Sequence, residues 1–305
     1  MPNPHTAGYS ASRSETHAAP TPDQGRNYIV SEFRVDDSDP KVLVDFLAHH
    51  TGVSKLRIKD AIGKGAVWLK HGSRKPQRIR RVTQALAVGD IVSLYYDTKI
   101  LGTIPPAARC LQDLGAYSIW HKPAGLMVEG SRFGDHATLA RQIEIHFPRR
   151  RCFIVHRLDR EASGIMLVAH KPQAAARLSE LFQQRQIVKE YIIEVRGDLR
   201  GLGTSGSISL DLDTKSCVTE YTIDTYLPEH DATRVLVRPQ TGRYHQIRRH
   251  FAAIGFPVLG DPKYGQNNTD PRGLRLAATR LSFVCPWSDK MMDFRSPPDK
   301  DIPIV

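Results

Sequence analysis

Residues 155–169 read VHRLDREASGIMLVA, a charged loop that runs directly into five consecutive apolar residues. An apolar run of this length, with glycine before it and polar residues after it, predicts a strand covered on both faces of a sheet. The loop is then expected at the edge of that sheet, where functional side chains are commonly held. Asp159 stands between Arg157 and Arg160, and nearby cations favour an ionised carboxylate. It is therefore a candidate nucleophile, with a structural ion pair as the alternative.

Downstream of this loop, the spacing of apolar residues predicts further helices and strands. Residues 172–184 place their apolar side chains on one face, and the proline that begins them suits the first turn of a helix. Helical spacing returns at 246–254. Alternating apolar and polar residues predict strands at 190–196, 217–223 and 234–238. The second half of the chain is therefore expected to combine helices with a sheet.

Several short motifs are distributed along this part of the chain. They are HRLD at 156–159 with SG at 163–164, KEY at 189–191, GRYHQIRRH at 242–250, and GFP at 255–257 with GDPKYG at 260–265. In order and spacing these motifs resemble those of the RluA-type family of RNA pseudouridine synthases, over about residues 115–298. Each motif is weak alone, whereas their agreement in order is specific.

The resemblance implies a fold and a reaction. The fold is α+β, with a mixed, largely antiparallel sheet and a central cleft. The reaction breaks the bond between ribose and N1 of uracil and rejoins the sugar to C5, with one carboxylate attacking either the sugar or the base. This isomerisation is redox-neutral and needs no cofactor. The sequence correspondingly lacks a dinucleotide fingerprint, a phosphate-binding glycine-rich loop and a zinc pattern.

The resemblance also assigns roles to individual residues. Asp159 would be the nucleophile, Arg248 would pair with it, and Tyr191 would stack on uracil or assist removal of the C5 proton. Without the family, an aromatic residue at a strand start is ordinary core filling. Arg157 would fill the gap left by an extruded base or hold a phosphate. Residues expected to contact RNA are Arg157, Arg160, Lys189, Arg243, His245 and Gln246; a carboxylate is the alternative partner of Lys189, and the last three residues are equally suited to supporting the site.

The chain departs from the family pattern at a few positions. Ala162 stands where threonine is usual, His121 replaces the asparagine of an Asn-Lys-Pro-x-Gly stretch, and 276–278 lacks a common histidine. None of these changes removes the proposed nucleophile, stacking ring or paired arginine. Lys122 and Pro123 are expected to form either walls of the active site or a purely structural turn.

The positive charge of the chain is concentrated before these motifs. The 305 residues carry a formal net charge of +11, and residues 53–81 contain ten Lys or Arg against one acid. Surfaces that serve only solubility mix charges of both signs, so this ratio indicates a polyanionic partner. A solvated charged face is the alternative interpretation.

Residues 28–98 are predicted to form a compact module that contains this basic segment. Apolar spacing predicts a helix over about 42–51 and a second helix capped by Ser54, followed by strands at 66–69 and 91–96. This order resembles the S-four-type RNA-binding module, named after a small-subunit ribosomal protein, whose second helix presents cations to RNA phosphates. The matching cations here are Lys55, Arg57 and Lys59.

The chain is thus expected to comprise a disordered tail at 1–27, the module at 28–98 and a catalytic domain at 99–305. The tail is rich in Pro, Ser and Thr and has almost no large aliphatic residues. No apolar run approaches the roughly 20 residues of a membrane span, and no secretory signal is evident. The four cysteines are widely scattered, so neither a metal site nor a disulfide framework is expected. We expect a cytoplasmic monomer that does not contact membranes.

RNA is the expected partner, and ribosomal RNA is favoured because a basic module adds phosphate contacts without reading sequence. Transfer RNA is the alternative substrate. A non-catalytic RNA-binding assembly factor on the same fold is a rival function, which the intact Asp159, Tyr191 and Arg248 disfavour. A glycosidase-like enzyme is a second rival. It would need a second carboxylate beside Asp159, and none stands out in the sequence.

Overall fold

The computed structural model describes residues 27–296 and divides the chain into two compact units between Thr98 and Lys99. The predicted tail lies outside the described residues, apart from Asn27. None of the helices described is long and apolar enough to cross a membrane.

In the described part of the first unit, four strands form one antiparallel sheet in the order β1-β4-β2-β3, together with two helices. The elements are β1 (Tyr28–Arg34), α1 (Leu43–Thr51), α2 (Lys55–Gly63), β2 (Val67–Lys70), β3 (Gln77–Arg78) and β4 (Ile91–Asp97). Helix α1 ends at Gly52, whose φ of 69° suits a residue without a side chain. Ser54 occupies the N-cap position of α2 as predicted, but its side chain makes no capping hydrogen bond.

The cations of α2 predicted to bind RNA, Lys55, Arg57 and Lys59, are all exposed, whereas Ile58 of the same helix is buried. Lys55 forms an ion pair with Asp45 at 2.7 Å. This pair is largely exposed, so it contributes little to stability and leaves the ammonium available to a stronger anion.

The second unit is built around one large sheet. Within its described residues, ten strands pair in the order β10-β11-β12-β9-β13-β8-β6-β5, with β14 on β13 and β7 on β8. The strands are β5 (Arg109–Asp113), β6 (Tyr117–Lys122), β7 (Phe153–Ile154), β8 (Ser163–Ala169), β9 (Val188–Arg196), β10 (Ser205–Leu212), β11 (Lys215–Leu227), β12 (Ala232–Pro239), β13 (Leu276–Val284) and β14 (Met291–Arg295). The helices are α3 (Thr98–Leu101), at the boundary between the units, α4 (Leu139–His146), α5 (Pro172–Gln183) and α6 (Gln246–Ala253).

Strand β8 is buried at every position, as its apolar run predicts. It pairs in antiparallel fashion with β6 and in parallel with β13, the single parallel pair among the described strands. Gly164 has a φ of +117°, and a Cβ there would lie 2.1 Å from the carbonyl oxygen of Ala278. Only glycine therefore lets β13 approach the start of β8 so closely.

Two hydrophobic clusters pack on this sheet. One contains residues of β6, β8, α4 and α5, and the other contains residues of β9, β12 and α6. Tyr191 of β9 packs against both clusters. The residues around it therefore lie where the two halves of the sheet meet, next to the loop that precedes β8.

Candidate active site

The loop before β8 is anchored by His156. Its Nε2 accepts a hydrogen bond from the backbone N–H of Leu167 at 2.9 Å, and its ring stacks on Phe182 with centroids 4.5 Å apart. Burial lowers the pKa of His156 to about 3, with a smaller contribution from Lys189. The imidazole is therefore neutral and can accept this bond. Sequence reasoning named this histidine only as part of the HRLD motif and missed its anchoring role.

Lys122 connects the same loop to the turn that follows Lys122 in the chain. Its fully buried ammonium donates to the carbonyl oxygens of Pro123, Leu126 and Arg160 at 2.9 to 3.2 Å. Burial lowers the pKa of Lys122 to about 7, against the opposing charges of Asp159 and other carboxylates. Lys122 does not line the cleft, so the interpretation as an active-site wall is wrong for this residue. The structural interpretation holds, because its contacts all fix backbone.

The structure brings Asp159 and Arg248 together. Arg248 Nη1 donates to Asp159 Oδ2 at 3.0 Å. The arginine side chain is 2% exposed and the aspartate side chain is 24% exposed, so the carboxylate alone is open to the cleft. Glu161 lies 3.8 Å from the same nitrogen. A second carboxylate, which did not stand out in the sequence, therefore lies near the same cation, two residues after Asp159 along the loop.

Arg248 is held from its other side by Asp261. The Asp261 carboxylate accepts from Arg248 Nε and Nη2, both at 2.7 Å, and also from the backbone N–H groups of Lys263 and Tyr264. Although burial alone would lower it, the hydrogen bonds that Arg248 donates to Asp261 and Asp159 raise the pKa of Arg248 above its ordinary value. The guanidinium is thus a fixed cation. Sequence reasoning missed Asp261, although the GDPKYG motif that contains it was recognised.

His245 completes the surroundings of the carboxylate. Its Nε2 lies 3.1 Å from Arg248 Nη1 and 3.7 Å from Asp159 Oδ2, and its Nδ1 lies 3.2 Å from the Tyr264 hydroxyl. Burial lowers the pKa of His245, while the charge of Asp159 raises it. A guanidinium can only donate, so Nε2 is the acceptor and Nδ1 carries the proton. His245 therefore braces Arg248 as a neutral ring.

Tyr191 lines the cleft beside these groups. Burial raises the pKa of Tyr191 well above its ordinary value, and the charge of Asp159 raises it further. The phenol consequently keeps its proton at neutral pH. Of the two roles predicted for this ring, stacking fits this state better than proton removal, which requires a group that can accept a proton.

The cleft itself is large and positively charged. Its volume is about 1280 Å³, and its lining contains seven Lys or Arg side chains against three carboxylates. Cations lining a concave surface raise the local concentration of a polyanion. Between residues 27 and 296, no group of three or more His, Cys, Asp or Glu side chains is arranged to hold a metal ion.

Comparison with known proteins supports the same family. Residues 116–253 match the family model described as RNA pseudouridylate synthase. An uncharacterized RNA pseudouridine synthase of Aquifex aeolicus is 28% identical over 299 residues, 87% of this chain and 92% of the relative. Ribosomal large subunit pseudouridine synthase D of Escherichia coli K12 is 32% identical over 213 residues, 60% of this chain and 65% of the relative. The chain belongs to the RluA-type family of RNA pseudouridine synthases.

Other similarities are consistent with this assignment. Ribosomal large subunit pseudouridine synthase C of Haemophilus influenzae is 28% identical over 81% of this chain and 82% of the relative. The solved structure of human RNA Pseudouridylate Synthase Domain Containing 1 has a TM-score of 0.54 and 24% identity, over 64% of this chain and 86% of that chain. The predicted family, α+β fold and isomerase class are confirmed.

The remaining predicted RNA contacts of the synthase fall into two groups. Arg157, Arg160 and Arg243 are exposed and line the cleft. Lys189 also lines it, and its Nζ donates to the carbonyl oxygen of Thr241 at 3.3 Å. No carboxylate among the described residues pairs with Lys189, which leaves phosphate as its predicted partner.

Gln246 behaves differently from these cations. Its Oε1 accepts from the Thr241 hydroxyl and the Arg243 backbone N–H, while its Nε2 donates to the Val218 carbonyl oxygen and the Thr219 hydroxyl. The side chain is buried, and all of its hydrogen-bonding groups are satisfied within the protein. Gln246 therefore supports the loop before α6, and the alternative of a direct RNA contact is not favoured.

Proposed function

We propose that this synthase converts specific uridines of ribosomal RNA to pseudouridine, with Asp159 as the nucleophile. The observation that carries the proposal is a half-open carboxylate bonded to a fully buried Arg248 at the base of a cationic cleft. Fixed positive charge holds the carboxylate in place and stabilises its negative charge without reorganisation during the reaction.

The geometry also indicates which carboxylate oxygen reacts. Oδ2 of Asp159 accepts the bond from Arg248 and is the oxygen nearest His245. We therefore assign the attack on sugar or base to Oδ1. After this attack, the bond from C1′ to N1 breaks and the bond from C1′ to C5 forms. The bond to Oδ1 then breaks, which regenerates the carboxylate, and the proton lost from C5 is balanced by a proton gained at N1. Tyr191, as a neutral phenol, would stack on the uracil and confine it while it turns.

Three observations support ribosomal RNA as the substrate class. Relatives of similar length and moderate identity are named ribosomal large subunit pseudouridine synthases. The cleft is cationic, and α2 of the first unit exposes the basic residues predicted to hold RNA phosphates. Such contacts add affinity without reading sequence. We propose that residues 28–98 are an S-four-type module that extends the footprint on the RNA.

The same substrate is consistent with a cytoplasmic enzyme, since ribosomal RNA is modified where ribosomes are assembled.

The decisive experiment measures tritium release from RNA labelled at C5 of uridine, supplied as separate ribosomal and transfer RNA pools. We expect release from ribosomal RNA by the wild type and no release by Asp159→Asn. RNA binding should persist in this variant, because the cationic lining is unchanged. The matched control is Asp198→Asn, which removes the charge of an exposed aspartate that pairs with Arg200 outside the cleft.

The outcomes separate the claims. Release by Asp159→Asn would overturn the nucleophile assignment. Release from transfer RNA alone would replace the substrate class. Absence of release by the wild type from both pools would contradict the proposed reaction and favour the assembly-factor function.

A further inference from the structure

The mechanism makes no use of Tyr244, although it is a prominent aromatic side chain in the cleft. Tyr244 lines the cleft with 63% of its surface exposed. An aromatic ring makes few favourable contacts with water. An exposed ring in a concave site is therefore well suited to bind a flat ligand. Tyr244 stacks on His245 and lines the same cleft as Asp159, so an RNA base is the flat ligand expected there. This step rests on the proposed function.

The ring of Tyr244 is held in one orientation. It stacks on His245 with centroids 3.7 Å apart and an interplanar angle of 21°. His245 is itself fixed by Arg248 and by the Tyr264 hydroxyl. The ring is therefore backed by a chain of rigid contacts, and a ligand would stack on it with little ordering cost.

Cations flank this platform. Lys263 Nζ lies over the Tyr244 ring, 5.4 Å from its centroid, and because Lys263 is exposed its long side chain can move aside for a base. Arg243 is exposed at the preceding position and also lines the cleft. Aromatic rings interleaved with cations are the arrangement that binds single-stranded nucleic acid, because bases stack while ammonium and guanidinium groups contact phosphates.

We propose that Tyr244 forms a base-stacking subsite for a nucleotide next to the target uridine. The target base belongs deeper in the cleft, beside Tyr191 and Asp159. Tyr244 is offset from that position by the intervening ring of His245, whose Nε2 is 3.7 Å from the Asp159 carboxylate. A neighbouring base stacked on Tyr244 would hold the strand on one side of the extruded uridine, with Lys263 or Arg243 on its phosphate.

The first test measures binding, which does not depend on catalysis. The probe is a fluorescein-labelled single-stranded oligouridylate dodecamer, because stacking on an aromatic ring tolerates any base. We expect Tyr244→Ala to weaken binding by about 5- to 100-fold, the range of one lost base stack, and Tyr244→Phe to bind within about twofold of the wild type. The matched control is Trp287→Ala. Trp287 is an aromatic residue 43% exposed that stacks on Tyr117 outside the cleft, and its loss should leave the affinity unchanged.

A second test locates the base. Affinities of the wild type and Tyr244→Ala are compared for the dodecamer and for versions with one abasic nucleotide at successive positions. We expect one abasic position to weaken binding by the wild type, with no further loss in Tyr244→Ala. This pattern shows that the ring and the missing base share one interaction. Wild-type affinity in Tyr244→Ala, an equal loss in Tyr244→Phe, or no binding of the dodecamer by the wild type would each overturn the subsite.

Tritium release by the same proteins distinguishes failure of the proposed stacking subsite from failure of the proposed function. A wild type that binds through Tyr244 but releases no tritium contradicts the reaction and leaves the subsite standing. If the wild type is active, Tyr244→Ala should raise KM with little change in kcat, since the ring does not touch the reacting atoms. A fall in kcat at unchanged KM would contradict the stacking role.

Discussion

Two clusters of carboxylates and guanidinium groups lie in the second unit, and they differ in their access to solvent. The cleft cluster is Asp159, Arg248 and Asp261, and the interior cluster is Glu194, Arg234 and Arg275. In the interior cluster, Glu194 bonds Arg275 at 2.8 Å and Arg234 at 3.0 Å, with its side chain 1% exposed. In the cleft cluster, Asp159 is 24% exposed while its partner is sealed.

The difference shows which pair is suited to chemistry. Both clusters pair opposite charges that would be costly to bury alone. In the interior cluster, each carboxylate oxygen of Glu194 bonds a guanidinium, so nothing remains to attack a substrate. In the cleft cluster, the contacts that Asp159 makes with residues 27–296 fall on Oδ2, and none of those residues bonds Oδ1. Burial of the cation together with exposure of the anion therefore marks a reactive pair.

The largest expected effect comes from removing the cation of the cleft cluster. Arg248→Met leaves Asp159 and Asp261 uncompensated, so we expect the free energy of unfolding to fall by about 3 to 5 kcal/mol. Below the melting temperature, kcat should also fall by about 100- to 1,000-fold, because a fixed electrostatic contact to the reacting group is lost. Urea denaturation and tritium release measure the two effects.

Glu194→Gln is the matched variant in the interior cluster. It leaves two buried arginines without a counter-charge and should cost a similar free energy of unfolding, while kcat of the folded enzyme remains close to that of the wild type. A comparable loss of kcat in both variants would show that the cleft cluster acts through stability alone. It would contradict the conclusion that only the cleft cluster is suited to chemistry.

A smaller effect is expected at Asp261, which touches the cation and not the proposed nucleophile. Asp261→Asn retains an acceptor for the backbone N–H groups of Lys263 and Tyr264. It loses the negative charge that holds the Arg248 guanidinium in position. We expect kcat to fall by about 10- to 100-fold at nearly constant KM, because the positioning of Asp159 is relaxed rather than removed. Steady-state tritium release measures both constants. A rise in KM at unchanged kcat would instead assign Asp261 to substrate binding.

The two clusters also show how far the sequence could predict the structure. The buried strand β8, the charged loop before it and the helices α5 and α6 followed from local spacing. The approach of Asp159 to Arg248 followed only from the family motifs, since the residues are 89 positions apart. Asp261 and the interior cluster were missed because they depend on contacts between residues far apart in the chain. The type of a residue does not reveal which distant side chain it contacts once both are buried.

The missed strands have a related cause. Strand β10 reads SGSISLDL, in which glycine and serine weaken the strand signal, and most of its residues are exposed. It is held by eight residue pairs along β11. Strand β13, with LAATRLSFV, gains its order from β8, β9 and β14 rather than from its own propensity. Pairing with neighbouring strands determines these two elements, and the spacing of apolar residues along the chain does not reveal that pairing.

At neutral pH, the smallest effect is expected from the anchor of the charged loop. The pKa of His156 is about 3 in the folded protein, whereas that of an unfolded histidine is near its ordinary value of 6.5. Between these values the unfolded state binds one more proton, so stability falls as the pH falls, by about 1.4 kcal/mol per pH unit from this group. Urea denaturation at a series of pH values should show His156→Gln losing stability less steeply than the wild type across this window. As a control, His230→Gln, which changes an exposed histidine outside the cleft, should leave the slope unchanged. Equal slopes in the wild type and His156→Gln would show that the loop before β8 is not held by a neutral imidazole, and the open carboxylate of the cleft cluster would then need another support.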